Sequence, residues 1–336
     1  MTRKIIIFNT YDAGGCGFYR VQNFVDQYQS DMDSGFEIFK TQLLITDKNI
    51  LKDTYSIILQ RFSGETTLNY INYVKDLRAK GLTNAKMFAE IDDNFYSIEK
   101  YNYAKKVINK KAIVNLDEAF SAVDAFRVST YELARFMENK FHKKAIIIKN
   151  CLPRWTQMLN PIKECSEIPL VLYTGATNHF SNDDVGDFTD WVKPIIDAVN
   201  DNKIKMGFFQ GIPWFFKDIK DQCYVFQFQK PRDFLPYLLK INPDFIIAPL
   251  KKNYFNMCKS DIKLIESYAI GSVFIGSNWN RSPYEASIQT SKKPKDAIDE
   301  IINLSKNKED YINRLKQQRN ILFETSRFVK SPEVEF

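Results

Sequence analysis

Lys259, Lys263 and Glu266 form the group of residues with the clearest potential chemistry in this sequence. If the segment that begins near Ser260 is a helix, Lys263 and Glu266 share one face, and Ser260 is a suitable N-cap. Ammonium groups at a helix N-terminus can neutralise a diphosphate, and a carboxylate one turn farther along can accept hydrogen bonds from ribose hydroxyls. The alternative is an ordinary amphipathic helix with solvated charges.

A glycine-rich turn near the N-terminus, AGGCGFYR at residues 13–20, is a second candidate. Gly15 and Gly17 allow backbone N–H groups to approach an anionic or sugar ligand where a helix begins. The turn is not a dinucleotide fingerprint, because Arg20 stands where the third glycine would be. A cation at this place favours a phosphate ligand, and the alternative is a tight turn with a solvated arginine.

Two carboxylates, Asp92 and Asp93, follow the predicted strand at residues 86–91. Ligands bind at the carboxyl ends of parallel strands, so either residue could bind a substrate hydroxyl and Asp92 could act as a base. The alternative is a helix cap or a turn, where adjacent aspartates are common.

Other polar residues follow predicted strands in the same way. His179 comes shortly after Gly175, and Arg61 follows the predicted strand at residues 55–60. Both are candidates for the same cleft, and solvated surface side chains are the alternative.

Residues 100–111, KYNYAKKVINKK, contain five lysines, two tyrosines and no acidic residue. Basic groups interleaved with aromatic rings suit a nucleic-acid backbone, with Lys105 and Lys106 at the centre of the segment. The alternative is a solvated, lysine-rich helix face.

Strand-length apolar runs alternate with helical patterns along the chain, which predicts an α/β protein with parallel sheets. The predicted strands lie at residues 5–8, 55–60, 86–91, 125–129, 145–148, 170–173, 205–209, 224–228, 245–249 and 273–276. A proline-containing connection near residues 151–169 divides them into two blocks. We therefore expect two facing Rossmann-like domains, at residues 1–152 and 166–314, with the C-terminal helix at 315–336 as a candidate for completing the first.

Composition excludes several classes of protein. The chain has 336 residues, a net charge of +6 and no apolar run long enough to span a membrane, so we expect no integral membrane contact. Two histidines and five scattered cysteines without a C-x-x-C pair argue against a metal centre and for a reducing compartment. The start of the chain reads as a strand and not as a signal peptide, so we expect a cytoplasmic protein.

Residues 260–275, SDIKLIESYAIGSVFI, resemble the donor-binding helix of glycosyltransferases with the GT-B fold. The pattern S-x-x-K-x-x-E-Y-x-A-x-G-x-P-V-I of the retaining, family 4-like enzymes is similar. Residues 14–20, 128–134, 148–150 and 174–175 are similar to other family motifs in the same order, so the resemblance spans about residues 4–285. The first glutamate of the family's E-x₇-E pair corresponds to Cys258 here.

The resemblance implies transfer of a sugar from a nucleotide-diphosphate donor, with retention of configuration and without a bound metal. The residues expected to take part in catalysis are Arg20, Asp92, Lys259 and Lys263. Those expected to bind the donor are Gly15, Gly17, Gly175, His179, Ser260 and Glu266. Those expected to bind the acceptor are Arg61, Asp93, Lys105 and Lys106.

The acceptor is less well defined by the sequence. The basic N-terminal half, residues typical of AT-rich genomes and a general likeness to phage-encoded enzymes of this group favour a 5-hydroxymethylated pyrimidine in phage DNA, which would be flipped out of the duplex. The alternatives are a cell-surface glycan or protein acceptor, and a nucleotide-sugar-binding protein that has lost catalysis.

Overall fold

The structure, a computed structural model, describes residues 4–10, 12, 14–30, 36–60, 64–159, 162–175, 179–285, 287–288, 293–325 and 327–328. Within them, eleven strands form two separate parallel sheets, each covered by helices. Arg61 lies outside the described residues.

The first sheet contains six parallel strands from the N-terminal half of the chain. They are β1 (Lys4–Thr10), β2 (Phe36–Thr41), β3 (Thr54–Gln60), β4 (Lys86–Ile91), β5 (Ala125–Val128) and β6 (Ala145–Ile147), in the spatial order β2-β1-β3-β4-β5-β6. Ile6, Phe8 and Ile58 are fully buried on one side of the sheet, and Ile57 and Met87 on the other. Burial on both faces explains why the central strands read as continuous apolar runs.

The helices of this half are α1 (Gly15–Gly17), α2 (Asn23–Ser30), α3 (Lys48–Asp53), α4 (Glu65–Ala79), α5 (Ala104–Val107), α6 (Lys110–Ala122) and α7 (Tyr131–Phe141). A π-helical turn, Phe18–Gln22, joins α1 to α2, so the chain is helical from the glycine turn onward. This turn brings Tyr19 and Arg20 next to the carboxyl end of β1.

The second sheet contains five parallel strands. They are β7 (Leu170–Tyr173), β8 (Lys205–Phe209), β9 (Cys223–Phe226), β10 (Phe245–Ala248) and β11 (Val273–Gly276), in the spatial order β11-β10-β7-β8-β9. The accompanying helices are α8 (Val192–Asn200), α9 (Pro231–Ile241), α10 (Tyr254–Met257), α11 (Ile262–Ile270), α12 (Pro294–Lys306) and α13 (Lys308–Glu324). The helix that carries the strongest sequence motif, α11, therefore lies between β10 and β11 in the chain.

The C-terminal helix packs on the second sheet. Tyr311, Leu315 and Leu322 are buried against it, and the Tyr311 hydroxyl donates a hydrogen bond of 3.0 Å to the carbonyl oxygen of Asp244. This corrects the expectation that the helix completes the N-terminal domain, because its apolar face covers α11 and β11 instead. Beyond it, Arg327 accepts a backbone hydrogen bond of 2.8 Å from Leu152. The predicted domain bounds stay a prediction.

No helix in the described part of the chain combines the length and apolar character needed to cross a membrane.

Candidate functional site

A cleft of about 470 Å³ lies between the two sheets. Several of its lining residues follow strands: Asp92 directly after β4, Thr174 directly after β7, and Asn150 three residues beyond β6. The predicted site residues that line it are Gly15, Arg20, Asp92, Asp93, His179, Lys259, Ser260, Lys263 and Glu266. The structure therefore brings together most of the predicted set, drawn from both halves of the chain.

Other predicted residues lie elsewhere. Gly17 is not among the residues that line the cleft, and Gly175 lines a neighbouring pocket of about 360 Å³. Lys105 and Lys106 are exposed on α5, outside the cleft. Of the loop around His179, Thr177 and Asn178 lie outside the described residues.

The helix α11 begins two residues later than the sequence predicts. Its N-cap is Asp261, whose carboxylate forms a salt bridge with Arg327 instead of capping the helix. The hydroxyl oxygen of Ser260 accepts a hydrogen bond of 2.8 Å from the Asn150 side chain. The prediction of Ser260 as the N-cap is thus wrong, because its side chain is bound by the segment that links the two halves.

Glu266 is buried and Lys263 is partly buried in the wall of the cleft. Burial lowers the pKa of Lys263 and raises the pKa of Glu266, because a low-dielectric surrounding disfavours both charged forms, while the attraction between the two groups opposes each shift. The ammonium of Lys263 lies 5.2 Å from the ring centre of Tyr173. Lys259 is more open, with its ammonium 3.7 Å from a carboxylate oxygen of Asp93.

Tyr19 connects the two walls of the cleft, and the sequence analysis assigned it no role. Its hydroxyl donates a hydrogen bond of 2.6 Å to Oε1 of Glu266. Burial raises the pKa of Tyr19 well above its usual value, so the hydroxyl remains a donor. In the sequence, the clue to a role for Tyr19 in the site is its position next to Arg20 in the glycine turn.

Arg20 lines the cleft, but most of its guanidinium is already bound. Its Nε lies 2.7 Å from Oε1 of Glu90, and its Nη1 contacts the Asn150 side chain at 2.9 Å and the carbonyl oxygen of Ile148. Its Nη2 is buried and has no hydrogen-bond partner among the described residues. Arg127 approaches the other carboxylate oxygen of Glu90 at 3.6 Å. Arg20 is therefore part of a buried ionic cluster, and neither a solvated arginine nor a freely placed phosphate ligand.

Asp12 organises the glycine turn. Its carboxylate accepts hydrogen bonds from the backbone N–H groups of Gly14 at 2.7 Å and of Gly17 at 3.0 Å. A Cβ on Gly17 would lie 1.9 Å from the carbonyl oxygen of Asp12, whereas a Cβ on Gly15 would meet nothing within 4 Å. Gly17 is thus required by the fold of the turn, and Gly15 borders open space in the cleft.

These two glycines give a matched pair of variants. Gly17→Ala should destabilise the protein by about 1–3 kcal/mol, since the methyl group forces the turn apart. Gly15→Ala should change the free energy of unfolding by less than about 0.5 kcal/mol. Denaturant titration measures both, and equal losses in the two variants would contradict this account of the turn.

His179 belongs to a buried polar cluster that holds Asp187. Nδ1 of His179 lies 2.7 Å from Oδ2 of Asp187. Oδ1 of Asp187 accepts from the Tyr101 hydroxyl at 2.7 Å, the Asn256 side chain at 2.7 Å and the Lys251 backbone N–H at 2.9 Å. Burial lowers the pKa of His179 to about 4 despite the hydrogen bond to Asp187, with the charges of both cleft lysines acting in the same direction as burial. Sequence reasoning found only the histidine.

Cys258, the counterpart of the family's first glutamate, does not line the cleft. It is fully buried with the apolar residues of the first half, and its Sγ lies 3.6 Å from the Asn94 side-chain amide. The Thr130 hydroxyl donates to its carbonyl oxygen at 2.9 Å. This position therefore packs the second half against the first.

The neighbouring pocket follows the carboxyl ends of β7 and β8 and opens beside the cleft. Its aromatic lining residues are Tyr173, Phe180, Phe208, Phe209, Trp214, Phe228 and Phe234. It shares Thr174, Phe228, Gln229 and Phe234 with the cleft. A planar ring can stack in such a pocket.

The described residues contain no group of three or more histidine, cysteine, aspartate or glutamate side chains that could hold a metal ion.

Two parallel α/β sheets with a cleft at the carboxyl ends of their strands define the GT-B fold, and this chain has it. Similar solved structures agree. An alpha-glucosyltransferase (AGT) in complex with UDP has a TM-score of 0.59 at 12% identity, over 96% of this chain and 95% of that one. A mutant T4 phage BGT in complex with UDP-glucose has a TM-score of 0.52 at 12% identity, over 96% and 95%. A Thermobaculum terrenum O-GlcNAc transferase has a TM-score of 0.53 at 7% identity, over 95% of this chain and 64% of that one.

No family model matches the sequence, and a search of curated proteins found no match. At these low identities the structural likeness shows the fold.

Proposed function

We propose that this protein is a retaining, family 4-like glycosyltransferase that moves a sugar from a nucleotide-diphosphate donor to an acceptor hydroxyl without a bound metal. The observation that carries the proposal is the pair of cations, Lys259 and Lys263, at the N-terminal end of α11 in the wall of the interlobe cleft. Negative charge grows on the leaving diphosphate as the glycosidic bond breaks. Fixed cations that meet this charge stabilise the transition state more than the ground state.

The first turn of α11 adds partial positive charge to that of the two lysines. The first N–H groups of a helix have no partner inside the helix, and the helix dipole places partial positive charge there. Lys263 lies in that turn, so its ammonium and the backbone N–H groups are close to the same diphosphate. The partly buried position of Lys263 limits its contact with water, which strengthens the interaction.

The remaining parts of the donor fit the surrounding groups. Glu266 accepts hydrogen bonds from ribose hydroxyls through the carboxylate oxygens that Tyr19 leaves available. The base enters the aromatic pocket that borders the cleft at Thr174. UDP is the nucleotide we expect, since two of the similar structures contain UDP or UDP-glucose.

On the opposite wall, Asp92 and Asp93 face the space where an acceptor hydroxyl would approach the sugar. Asp93 is 3.7 Å from the Lys259 ammonium, and this contact keeps its carboxylate near the diphosphate site. We assign Asp92 to the proton of the acceptor hydroxyl and Asp93 to acceptor positioning.

For the acceptor we propose a 5-hydroxymethylated pyrimidine in DNA, with a phage as the source of the protein. Tyr101 is buried and its hydroxyl donates to Asp187, and the exposed Lys105 and Lys106 follow it on α5. In this proposal, DNA phosphates contact the basic segment while a flipped base enters the cleft.

Mass spectrometry of the acceptor tests the proposal. Duplex DNA with 5-hydroxymethylcytosine, a glycan panel and a peptide panel are each incubated with the protein and several nucleotide sugars, with and without EDTA. A hexose or pentose mass added to the DNA in EDTA is the expected result. Sugar on a glycan or peptide supports the alternative acceptors. Nucleotide-sugar binding with neither transfer nor hydrolysis indicates an inactive binding protein, the alternative based on the cysteine at position 258 in place of the family's first glutamate.

DNA affinity should fall steeply with salt if α5 contacts phosphates. The double variant Lys105→Ala and Lys106→Ala should bind the same duplex more weakly, with a slope of log K against log salt that is shallower by about 1–2. The matched control replaces Lys193 and Lys203, which are exposed on the second half. Fluorescence anisotropy at several salt concentrations measures the slopes. Equal slopes for the two double variants would remove α5 from the DNA interface.

A further inference from the structure

Asp187 has a buried carboxylate whose oxygens form hydrogen bonds with four groups. Tyr101 comes from the first half of the chain, while His179, Lys251 and Asn256 come from the second. The hydrogen bond with His179 lowers the pKa of Asp187, so the carboxylate is ionised at neutral pH. A carboxylate can only accept, so the proton between it and His179 belongs to Nδ1 of the ring.

Fixing the proton on Nδ1 decides what the other nitrogen can do. His179 lines the cleft, and Nε2 lies on the edge of the ring opposite the bond to Asp187. In the neutral ring, Nε2 then carries a lone pair and accepts hydrogen bonds. The charges of Lys259 and Lys263, which also line this cleft, oppose protonation of the ring.

The backbone around the His179 ring is also closely packed. Gly186 has a φ of +55°, and a Cβ there would lie 2.2 Å from the carbonyl oxygen of His179 and 2.7 Å from the Tyr101 ring. The ring of Tyr173 meets His179 edge to face, with centroids 6.4 Å apart. The imidazole therefore has little freedom to turn.

We propose that Nε2 of His179 accepts a hydrogen bond from a hydroxyl of the sugar being transferred, and that Asp187 is the positioning residue that fixes the tautomer able to do so. The inference rests on the proposed donor. The diphosphate of a nucleotide sugar carries no proton at neutral pH, so it cannot donate to Nε2. The ribose is assigned to Glu266, which leaves the sugar hydroxyls as the donors nearest to the diphosphate.

The tautomer can be observed directly by ¹⁵N NMR, because the chain has only two histidines. His142→Gln removes the signal of the exposed one and assigns the other. In the wild-type protein at pH 7, His179 should show a protonated Nδ1 and a bare Nε2. Asp187→Asn should mix the two tautomers. A protonated Nε2 in the wild-type protein would overturn the inference, whatever the enzyme's activity.

Calorimetric titration with UDP, UDP-glucose, UDP-galactose and UDP-GlcNAc tests the hydroxyl. His179→Asn keeps a donor toward Asp187 and lacks the Nε2 position, and His142→Asn is the matched control. We expect His179→Asn to bind UDP as the wild type does and to bind the preferred UDP-sugar about five- to tenfold more weakly.

The outcomes separate the two proposals. Equal affinity of His179→Asn and the wild type for every UDP-sugar, with UDP still bound, would overturn the inference alone. Failure of the wild type to bind UDP and all three UDP-sugars would overturn the proposed donor, and the inference with it.

Discussion

Replacing Lys263 by methionine lowers kcat for sugar transfer at least tenfold, which corresponds to about 1.4 kcal/mol or more of transition-state stabilisation. Methionine keeps most of the side-chain volume in the wall of the cleft and removes only the charge that meets the leaving diphosphate. Because this charge acts mainly in the transition state, kcat should fall more than the affinity for UDP.

The control for this variant is Lys203→Met, at an exposed lysine in the same half of the chain. Initial rates at saturating donor, with circular dichroism to verify folding, give the comparison. A Lys263→Met protein with wild-type turnover would show that the diphosphate lies elsewhere.

The same lysine predicts a pH dependence. Burial lowers the pKa of Lys263 from the ordinary lysine value of 10.5, so its charge is lost as pH rises through a range lower than that of a solvated lysine. Since kcat/KM reports the ionisation of the free enzyme, it should decline on the alkaline side in that range. Lys263→Met should lack this decline. A wild-type profile that stays flat up to the ordinary lysine range would contradict the assignment.

Glu90→Ala should lower the free energy of unfolding by about 3–5 kcal/mol. Glu90 is the shared partner of Arg20 and Arg127, and all three side chains are almost fully buried. Burial raises the pKa of Glu90, while the charges of both arginines act in the opposite direction. Without the carboxylate, the two buried guanidinium groups lose the negative charge that they share.

Glu37→Ala is the matched control, because Glu37 is an exposed strand residue in the same sheet. Denaturant titration followed by fluorescence measures both variants, and the control should change by less than about 0.5 kcal/mol. A loss below about 1 kcal/mol for Glu90→Ala would mean that water or a backbone group already compensates the arginines.

The sequence predicts the buried central strands well, and among the described strands it misses β2. β4, β7, β8 and β11 have the predicted bounds, because a strand covered on both faces reads as a continuous apolar run. β2 was not predicted, since it is an edge strand on which Ile38 is the only buried side chain. Residues 294–324 form two helices, α12 and α13, because Asn307 interrupts the helical stretch and caps the second helix.

Within the site, the sequence indicates residues that are close along the chain and misses partners that are far apart in it. Lys263 and Glu266 were found because helical spacing places them together. Tyr19 and Glu266 are 247 positions apart, Arg20 and Glu90 are 70 apart, and Tyr101 and Asp187 are 86 apart. Such partners meet only in the tertiary structure, so spacing carries no signal for them.

The hydrogen bond between Tyr19 and Glu266 also has an evolutionary consequence. A carboxylate that is enclosed without its donor is unfavourable, so a substitution at either position creates pressure for a second one at the other. Among homologues, the two positions should therefore change as a pair, with Phe at position 19 accompanied by a residue other than glutamate at position 266.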